Sequence, residues 1–355
     1  MPARSDSRTA TLRSGTRQSG IDLLDRRLIF VTGKGGVGKT TVASALALLA
    51  AERGSRTLLC EVDAKGNVAD FFDTGRTGPD QAAPDQAVPD QAGPSARLGF
   101  AEREVLPNLW AMSMDTEASL QQYLRLQLKM GFVTRVGPLA RMFDFVASAA
   151  PGVREIVTVG KLCWEVRERH YDLVVVDAAA SGHIVSQLTA PQAINELVKV
   201  GPIRAQTGWM LEILGDPAQT AAVIVSTPAE MPVRETLDLA RRIRNETNVT
   251  VGGVVVNRVL PELFGRGEEE VFEQIDTPEV TSAIDAVVGG PVRPILDAAR
   301  LMVTRRRARA EHLTRLREEI DPTVPLSYVP YLFFSSHGLP ATREVAAALS
   351  AELGY

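Results

Sequence analysis

Short apolar runs alternate along the chain with longer stretches that have the spacing of a helix face. The runs are rich in β-branched residues and predict strands at about 28–32, 57–62, 109–113, 173–177, 222–226, 250–256 and 326–330. Strands that alternate with helices form a mostly parallel sheet with helices on both faces. We therefore predict an α/β fold with one such sheet at its centre.

Two stretches interrupt this alternation. Residues from about 115 to 170 and from about 190 to 218 have helical patterns with no strand at their centre. Both contain large apolar side chains, such as Phe143 and Trp209. They predict a helical subdomain inserted on one side of the sheet. Its apolar residues would form either an ordinary core or a groove that holds a helix of another protein, since flexible methionine and aromatic side chains suit varied partners.

Two other segments lack the composition of a folded core. Residues 1–26 are polar and basic without the hydrophobic segment of a secretory signal, and we expect a disordered arm there. Residues 79–94 read PDQAAPDQAVPDQAGP, in which proline recurs every five residues and blocks both helix and sheet. We expect a disordered insertion over 74–98 without a function of its own. The folded domain is predicted over 27–355, and it contains this insertion and the helical subdomain.

Composition narrows the classes of function. The 355-residue chain has a net charge of −4, which does not favour bulk attraction to nucleic acid, so we expect no nucleic-acid partner. Its two cysteines, Cys60 and Cys163, form no C-x-x-C pair, which favours a reducing compartment and leads us to expect no zinc. No apolar run reaches the ~18 residues of a membrane span. We expect a cytoplasmic protein, with peripheral attachment to a membrane through a partner as an alternative.

The segment TGKGGVGKTTV, residues 32–42, has the spacing G-x-x-x-x-G-K-[ST] at Gly33, Gly38, Lys39 and Thr40. It stands between a predicted strand and a run of strong helix formers, which is the context of a phosphate-binding loop rather than of a merely glycine-rich turn. In such a loop backbone N–H groups bind phosphate oxygens, the lysine reaches the β- and γ-phosphates, and the hydroxyl binds Mg²⁺. The predicted ATP-binding residues of the loop are Gly33, Lys34, Gly35, Gly36, Val37, Gly38, Lys39, Thr40 and Thr41.

The loop contains a second lysine, Lys34, at its near end. From there the side chain is poorly placed to reach the γ-phosphate of a nucleotide on its own chain. Across a dimer interface, it would neutralise the charge that develops on the partner's nucleotide, as an arginine finger does. The alternative is a solvated surface lysine.

Two aspartates follow predicted strands, at the edge of an α/β sheet where phosphate chemistry takes place. Asp177 closes an apolar strand and is predicted to bind Mg²⁺ together with Thr40. Asp63 closes the second strand and is predicted to orient or deprotonate the attacking water and to contribute to the metal site. Each could instead be a capping residue at the end of its strand. The small residues 178–183 favour a segment that reorganises when the γ-phosphate leaves.

These motifs resemble those of known ATPases. The loop K-G-G-x-G-K-[ST] is similar to the deviant loop of the MinD, ParA, nitrogenase iron protein and arsenical-pump class. Residues 177–183 read D-A-A-A-S-G-H and resemble the second switch of the arsenical-pump ATPase family, which includes the guided-entry ATPases that deliver tail-anchored membrane proteins. Residues 63–67 resemble its first switch, D-P-A-H-N, in which Asp63 and Asn67 match.

The resemblance continues towards the end of the chain. Residues 226–236, STPAEMPVRET, are similar to a stretch of the family that follows the next strand. The adenine contacts of the family fall on Asn257 and Pro330. Residues 150–162 and 199–214 resemble an actinobacterial branch. The clustered cysteines of the pump enzymes and the zinc-binding C-x-x-C pair of the eukaryotic targeting factors are absent, which argues against metalloid binding.

The resemblance implies a P-loop NTPase fold and Mg²⁺-dependent ATP hydrolysis by a nucleotide-sandwich dimer. The dimer would be a homodimer or a heterodimer with a paralogue, and Asp63, Lys34 and Lys39 would be catalytic. Motion of the switch segments would be coupled to the binding and release of a hydrophobic or membrane-protein client. The alternatives are the energising ATPase subunit of an anion transporter and a nucleotide-gated scaffold with negligible turnover.

Overall fold

The computed structural model describes residues 22–62, 67–72, 102–114, 153–265, 267–275, 277–333 and 338–355. The predicted insertion at 74–98 lies outside these residues, as does most of the segment 115–170. Of the arm predicted at 1–26, only residues 22–26 are described: Leu23–Asp25 form a short 3-10 helix in which Leu23 is buried.

One eight-stranded sheet forms the centre of the molecule. Its strands are β1 Leu28–Gly33, β2 Thr57–Glu61, β3 Arg103–Leu106, β4 Leu109–Ser113, β5 Leu173–Ala180, β6 Thr220–Ser226, β7 Thr250–Val259 and β8 Leu326–Pro330. They lie in the order β3-β4-β2-β5-β1-β6-β7-β8, and each neighbouring pair is parallel except β3–β4. All seven predicted strands are confirmed, and β3 is an additional edge strand.

Ten α-helices are described. They are α1 Lys39–Glu52, α2 Asn67–Phe72, α3 Val153–Arg167, α4 Ser181–Leu197, α5 Pro202–Gly215, α6 Glu230–Glu246, α7 Glu268–Ile275, α8 Pro278–Val288, α9 Arg293–Glu319 and α10 Leu339–Leu353. The sequence of α1 from Val42 to Ala51 consists almost entirely of alanine and leucine, which are among the strongest helix formers, and this explains why the segment is helical.

Both faces of the sheet are covered, as predicted for a mostly parallel sheet. Because side chains of a strand alternate between its faces, Leu28 and Phe30 of β1 belong to one core cluster while Ile29 and Val31 belong to the other. Helices α3, α4, α5 and α6 contribute to the first cluster, and α1 and α10 contribute to the second. The predicted fold class is therefore confirmed.

The first of these faces contains the helices α3, α4 and α5, which pack against one another. Met210 and Leu214 of α5 are buried in the sheet core, and Trp209 is packed against it. These side chains therefore serve as ordinary core rather than as a groove. The extent of the helical subdomain stays a prediction, since residues 115–152 lie outside the described part of the chain.

Candidate functional site

At two glycines of the loop after β1, an added Cβ would collide with a neighbouring strand. Gly33 has φ 147°, and a Cβ added there would lie 2.2 Å from the backbone oxygen of Val225 on the adjacent strand. Gly38, which caps the N-terminus of α1, has φ 95°, and its Cβ would lie 2.3 Å from the amide nitrogen of Asn257. By contrast, a Cβ at Gly35 or Gly36 would meet nothing within 4 Å, so the outer side of the loop is open.

The start of α1 is suited to an anion. The first N–H groups of a helix have no partner within the helix, and they carry the positive end of its dipole. No side chain caps this end of α1, and its first turn contains no acidic residue. The loop and the helix therefore present backbone donors that no capping side chain occupies, which is the arrangement that binds phosphate.

The two lysines of the loop differ in their surroundings. Lys39 Nζ donates a hydrogen bond of 3.3 Å to the backbone oxygen of Lys34, so its side chain folds back across the loop. Lys34 Nζ points away and binds Glu235 Oε1 of α6 at 2.5 Å. The hydroxyl of Ser181, at the start of α4, lies 3.5 Å from the other carboxylate oxygen of Glu235. In the single chain Lys34 is thus paired rather than freely solvated.

A hydroxyl and a carboxylate meet beside the lysines. Asp177 lies on β5 opposite Val31 of β1, and its side chain is 8% exposed. Thr40 Oγ1 donates to Asp177 Oδ2 at 2.6 Å. Oxygen ligands of these two kinds are what Mg²⁺ prefers, and P-loop enzymes supply one hydroxyl and one strand-end carboxylate. The structure therefore brings together Thr40 and Asp177, two of the three residues predicted for the metal site.

The segment that follows Asp177 is tied to the loop. Thr32 Oγ1 of β1 donates to the backbone oxygen of Ala179 at 3.0 Å, inside the sheet. This hydrogen bond connects residues 177–181 to β1, and the bond between Thr40 and Asp177 connects them to α1. The contact of Ser181 with Glu235 connects the same segment indirectly to Lys34. The third candidate carboxylate, Asp63, lies outside the described residues, so its predicted role stays a prediction.

The far side of the loop is held by β7. Asn257 is 6% exposed, and its Nδ2 donates to the backbone oxygen of Val37 at 2.9 Å. Its Oδ1 accepts the backbone N–H of Arg258, which adopts a left-handed φ of 59°. The guanidinium of Arg258 donates to the backbone oxygen of Gly36 at 3.2 Å. Both side chains shape the phosphate loop.

Pro330 ends β8 beside this pair. It is exposed and lies in register with Val259, two residues beyond Asn257. The neighbouring Tyr331 and Phe333 are 39% and 65% exposed, and their ring centroids are 4.8 Å apart. The two residues predicted to contact adenine therefore lie on adjacent strands at the same edge of the sheet, next to an exposed aromatic pair.

Three residues that border the site were not predicted from the sequence to lie there. Glu235 lies inside the motif at 226–236, but its pairing with Lys34 depends on where α6 starts in space. Arg258 follows a predicted residue directly, and its unusual φ has no signature in the sequence. Glu61 lies opposite Asp177 in the adjacent strand β2, is 2% exposed and accepts a hydrogen bond from Ser113.

The two cysteines are part of the core rather than of the site surface. Cys60 and Cys163 are fully buried free thiols in the same core cluster, and burial raises the pKa of both. Neither thiol is accessible to a ligand. Among the described residues, no group of three or more His, Cys, Asp or Glu side chains is placed to hold a metal ion. In the same residues, no helix is both long and apolar enough to cross a membrane.

Comparison with known proteins identifies related chains. The sequence profile of the family described as Anion-transporting ATPase matches residues 26–210 and 202–274. The ATPase BagA of Mycobacterium tuberculosis is 30% identical over 320 residues, which cover 86% of each chain. The ATPase GET3 of Podospora anserina is 30% identical over 199 residues, 55% of this chain and 52% of that protein. The ATPase ASNA1 homolog of Entamoeba dispar is 26% identical over 274 residues, which cover 66% of this chain and 76% of that protein.

Proposed function

The chain belongs to the anion-transporting ATPase family, that of the arsenical-pump and guided-entry ATPases, and is an ATPase; on this premise we propose that it works as a Mg²⁺-dependent nucleotide-sandwich dimer that binds and releases a hydrophobic client. The observation that carries this proposal is the arrangement of the phosphate loop. Its open outer side, the uncapped start of α1 and the Thr40–Asp177 pair together form a site for a nucleotide and a metal ion.

The residues present fit both ligands. Backbone donors from Gly35 to Thr40 would hold the phosphates, and Asn257 and Pro330 would lie near adenine. Thr40 and Asp177, joined by a hydrogen bond of 2.6 Å, supply the oxygen donors that would hold Mg²⁺. When bound, Mg²⁺ neutralises charge on the phosphate oxygens. Asp63, two residues after β2, would position the attacking water.

The two lysines would act on different nucleotides. Lys39 lies across the loop of its own chain and would reach the phosphates bound there. Lys34 points out of the loop and would reach the phosphates of the partner chain, because its ammonium already lies towards α6 rather than over its own loop. The partner would be a second copy of this chain or a paralogue.

The contacts of residues 177–181 support a coupling of nucleotide state to motion. This segment is bound to the loop region through Thr32, Thr40 and, indirectly, Lys34. A change at the phosphates therefore alters the partners of residues 177–181, which lead directly into α4. Helix α4 packs against α3 and α5, so its displacement would move the helices on that face of the sheet.

The described helices offer an apolar surface for the client. On α8, the side chains of Val280, Ala283, Ile284 and Val287 follow the spacing of one helix face. Val287 is 88% exposed, whereas the buried residue of α8 is the polar Thr281. Ile295 and Leu301 of α9 are 69% and 50% exposed. Helices that turn their apolar face to solvent are suited to bind an apolar helix of another protein. We call the residues 280, 283, 284 and 287 of α8 the apolar face.

A second function, energising an anion transporter, is favoured by the description of the family whose profile matches. The buried state of Cys60 and Cys163 argues against a trivalent metalloid as its substrate, because a buried thiol with a raised pKa is a poor ligand. Activation of ATP turnover by arsenite or antimonite would support the metalloid transporter, and its absence would leave the hydrophobic client as the better proposal.

The dimer is tested by measuring ATP turnover per protomer against protein concentration, with the oligomeric state followed by light scattering. We expect turnover to rise as dimers form. In Lys34→Ala it should fall about 10³-fold or more, the size of an arginine-finger effect, while ATP still binds. Lys199→Ala, which alters an exposed lysine between α4 and α5, is the control. A monomer whose turnover does not depend on Lys34 would refute the dimer.

A further inference from the structure

Lys34 can serve a partner's nucleotide only if its ammonium is free to leave its own chain. In the structure it is not free, because Glu235 Oε1 binds Lys34 Nζ at 2.5 Å. The pair links two segments 201 residues apart, the phosphate loop and the first half of α6. A contact between such distant segments reflects the tertiary fold rather than the local conformation of the loop.

Glu235 is also connected to the segment that follows Asp177. The hydroxyl of Ser181 lies 3.5 Å from Glu235 Oε2, so the two carboxylate oxygens face two different parts of the site. One oxygen binds the loop lysine, and the other faces the start of α4. A movement of residues 177–181 therefore changes the surroundings of the carboxylate that holds Lys34.

We propose that Glu235 is a positioning residue that holds Lys34 against its own chain in the single protomer and releases it to the partner's nucleotide when the dimer closes. This inference rests on the proposed dimer. The proposed function states which nucleotide Lys34 reaches after the dimer closes. The present inference states that Glu235 determines where Lys34 lies before the dimer closes.

The strength of the pair suits this exchange. The side chains of Lys34 and Glu235 are 31% and 33% exposed, so solvent weakens their attraction. Ion pairs of such exposure change an equilibrium by about two- to fivefold. A nucleoside triphosphate carries several negative charges in a less solvated site and attracts the ammonium more strongly than one half-exposed carboxylate. Glu235 can therefore direct the lysine without preventing the closed state.

The matched variants are Glu235→Gln and Asp238→Asn. Both remove one negative charge from α6, and the two positions are three residues apart. Asp238 is exposed and its carboxylate binds Arg241 on the same helix, so Asp238→Asn reports the effect of charge alone. Glu235 is only partly buried, so Glu235→Gln leaves the core intact.

The first measurement is the rate at which an amine-reactive ester acetylates Lys34 in the nucleotide-free protein, read by mass spectrometry with exposed Lys199 as the internal reference. The second is the protein concentration at half-maximal ATP turnover, measured together with the turnover at saturating protein. In Glu235→Gln we expect labelling of Lys34 to rise about two- to fivefold. The half-maximal concentration should fall by up to the square of that factor, because a closing homodimer releases two lysines. Turnover at saturation should stay the same, and Asp238→Asn should match the wild type.

Three results would overturn the proposal, each in a distinguishable way. Unchanged labelling of Lys34 would show that Glu235 does not hold it. A loss of turnover at saturating protein would show that Glu235 acts in the closed dimer instead. A wild-type protein that stays monomeric by light scattering, with a turnover that does not depend on concentration, would refute the dimer of the proposed function, and the release of Lys34 to a partner with it.

Discussion

Thr40 and Asp177 are 137 residues apart in the sequence, and Thr40 Oγ1 donates a hydrogen bond of 2.6 Å to Asp177 Oδ2. The distance is short because β1 and β5 are neighbouring parallel strands, with Val31 opposite Asp177. Parallel strands end at the same edge of the sheet, and the loop after β1 returns Thr40 to that edge in the first turn of α1. The sheet register therefore defines the candidate metal site.

The first prediction concerns this pair. Thr40→Ala and Asp177→Asn each remove an oxygen donor or a negative charge from the candidate metal site, and we expect ATP turnover to fall about 10- to 100-fold. The Mg²⁺ concentration needed for half-maximal turnover should rise. Thr40→Ser keeps the hydroxyl and should retain most of the activity. Equal activity of the alanine and serine variants, measured over a Mg²⁺ titration, would contradict the assignment.

The second prediction concerns the glycines of the loop. At Gly38 the left-handed φ and the amide of Asn257, 2.3 Å from an added Cβ, both oppose a side chain. Gly38→Ala should therefore lower the free energy of unfolding by about 1–3 kcal/mol and weaken ATP binding. At Gly35 nothing lies within 4 Å of an added Cβ, so Gly35→Ala should unfold at the wild-type denaturant concentration. Equal unfolding midpoints for the two variants would contradict the steric argument.

Some of these residues could be predicted from the sequence, and others could not. Strand ends and the phosphate loop are local features, so Thr40 and Asp177 could be named as a metal pair before the fold was known. The edge strand β3 could not be predicted as a strand, because its sequence R-E-V-L is short and its first two residues are charged and exposed. The partner of Lys34 could not be named either, since a pair 201 residues apart depends on the placement of α6.

The sequence also does not predict that the apolar face is exposed. The spacing of Val280, Ala283 and Val287 indicates an amphipathic helix, which would ordinarily bury that face. In the structure the apolar side faces solvent and Thr281 is buried. Conversely, Met210 and Leu214, which could have lined a groove, are core residues of the sheet. Periodicity identifies an apolar face, but the tertiary packing determines whether that face is covered.

The third prediction concerns a buried ion pair that does not belong to the nucleotide site. Lys161 and Glu165 of α3 form a salt bridge with side-chain exposures of 10% and 1%. Lys161 also binds Glu102 at 3.1 Å, and His170 Nδ1 lies 2.7 Å from Glu165 Oε2. Lys161→Met would leave Glu165 buried without its cation on α3 and should lower the free energy of unfolding by about 3–5 kcal/mol at pH 7. Arg242→Met breaks an exposed pair with Glu246 and should cost less than about 1 kcal/mol.

The pH dependence of this effect follows from the pKa of Lys161. Burial alone would lower that pKa, but the hydrogen bonds and charges of Glu165 and Glu102 outweigh burial and raise it above its ordinary value of 10.5. A raised pKa stabilises the folded state fully below pH 10.5, and the contribution is lost as the pH rises through the folded-state pKa. The stability difference between wild type and Lys161→Met should thus stay constant from about pH 7 to pH 9.5 in chemical unfolding. A difference that shrinks in this interval would contradict the raised pKa.

The fourth prediction concerns the apolar face. Val287 is 88% exposed and lies on the apolar side of α8, whereas Val200 is 82% exposed and lies between α4 and α5, outside this face. Val287→Ser should weaken the binding of an apolar helical peptide by about 5- to 30-fold, because a buried valine contributes about 1–2 kcal/mol more than an exposed one. Val200→Ser changes an equally exposed valine and should leave peptide binding unaltered. Binding is measured by fluorescence anisotropy of the labelled peptide in the nucleotide-free, ADP and ATP states.

The same variants separate client binding from catalysis. The apolar face lies on α8, and its residues make no described contact with the phosphate loop or Asp177. ATP turnover without peptide should therefore be the same in Val287→Ser and the wild type, while any change of turnover on adding peptide should be weaker in the variant. Equal peptide affinity of Val287→Ser and Val200→Ser would place the client elsewhere on the molecule. Peptide affinity that is identical in all three nucleotide states would show that the face binds clients without the control by ATP that the proposed function requires.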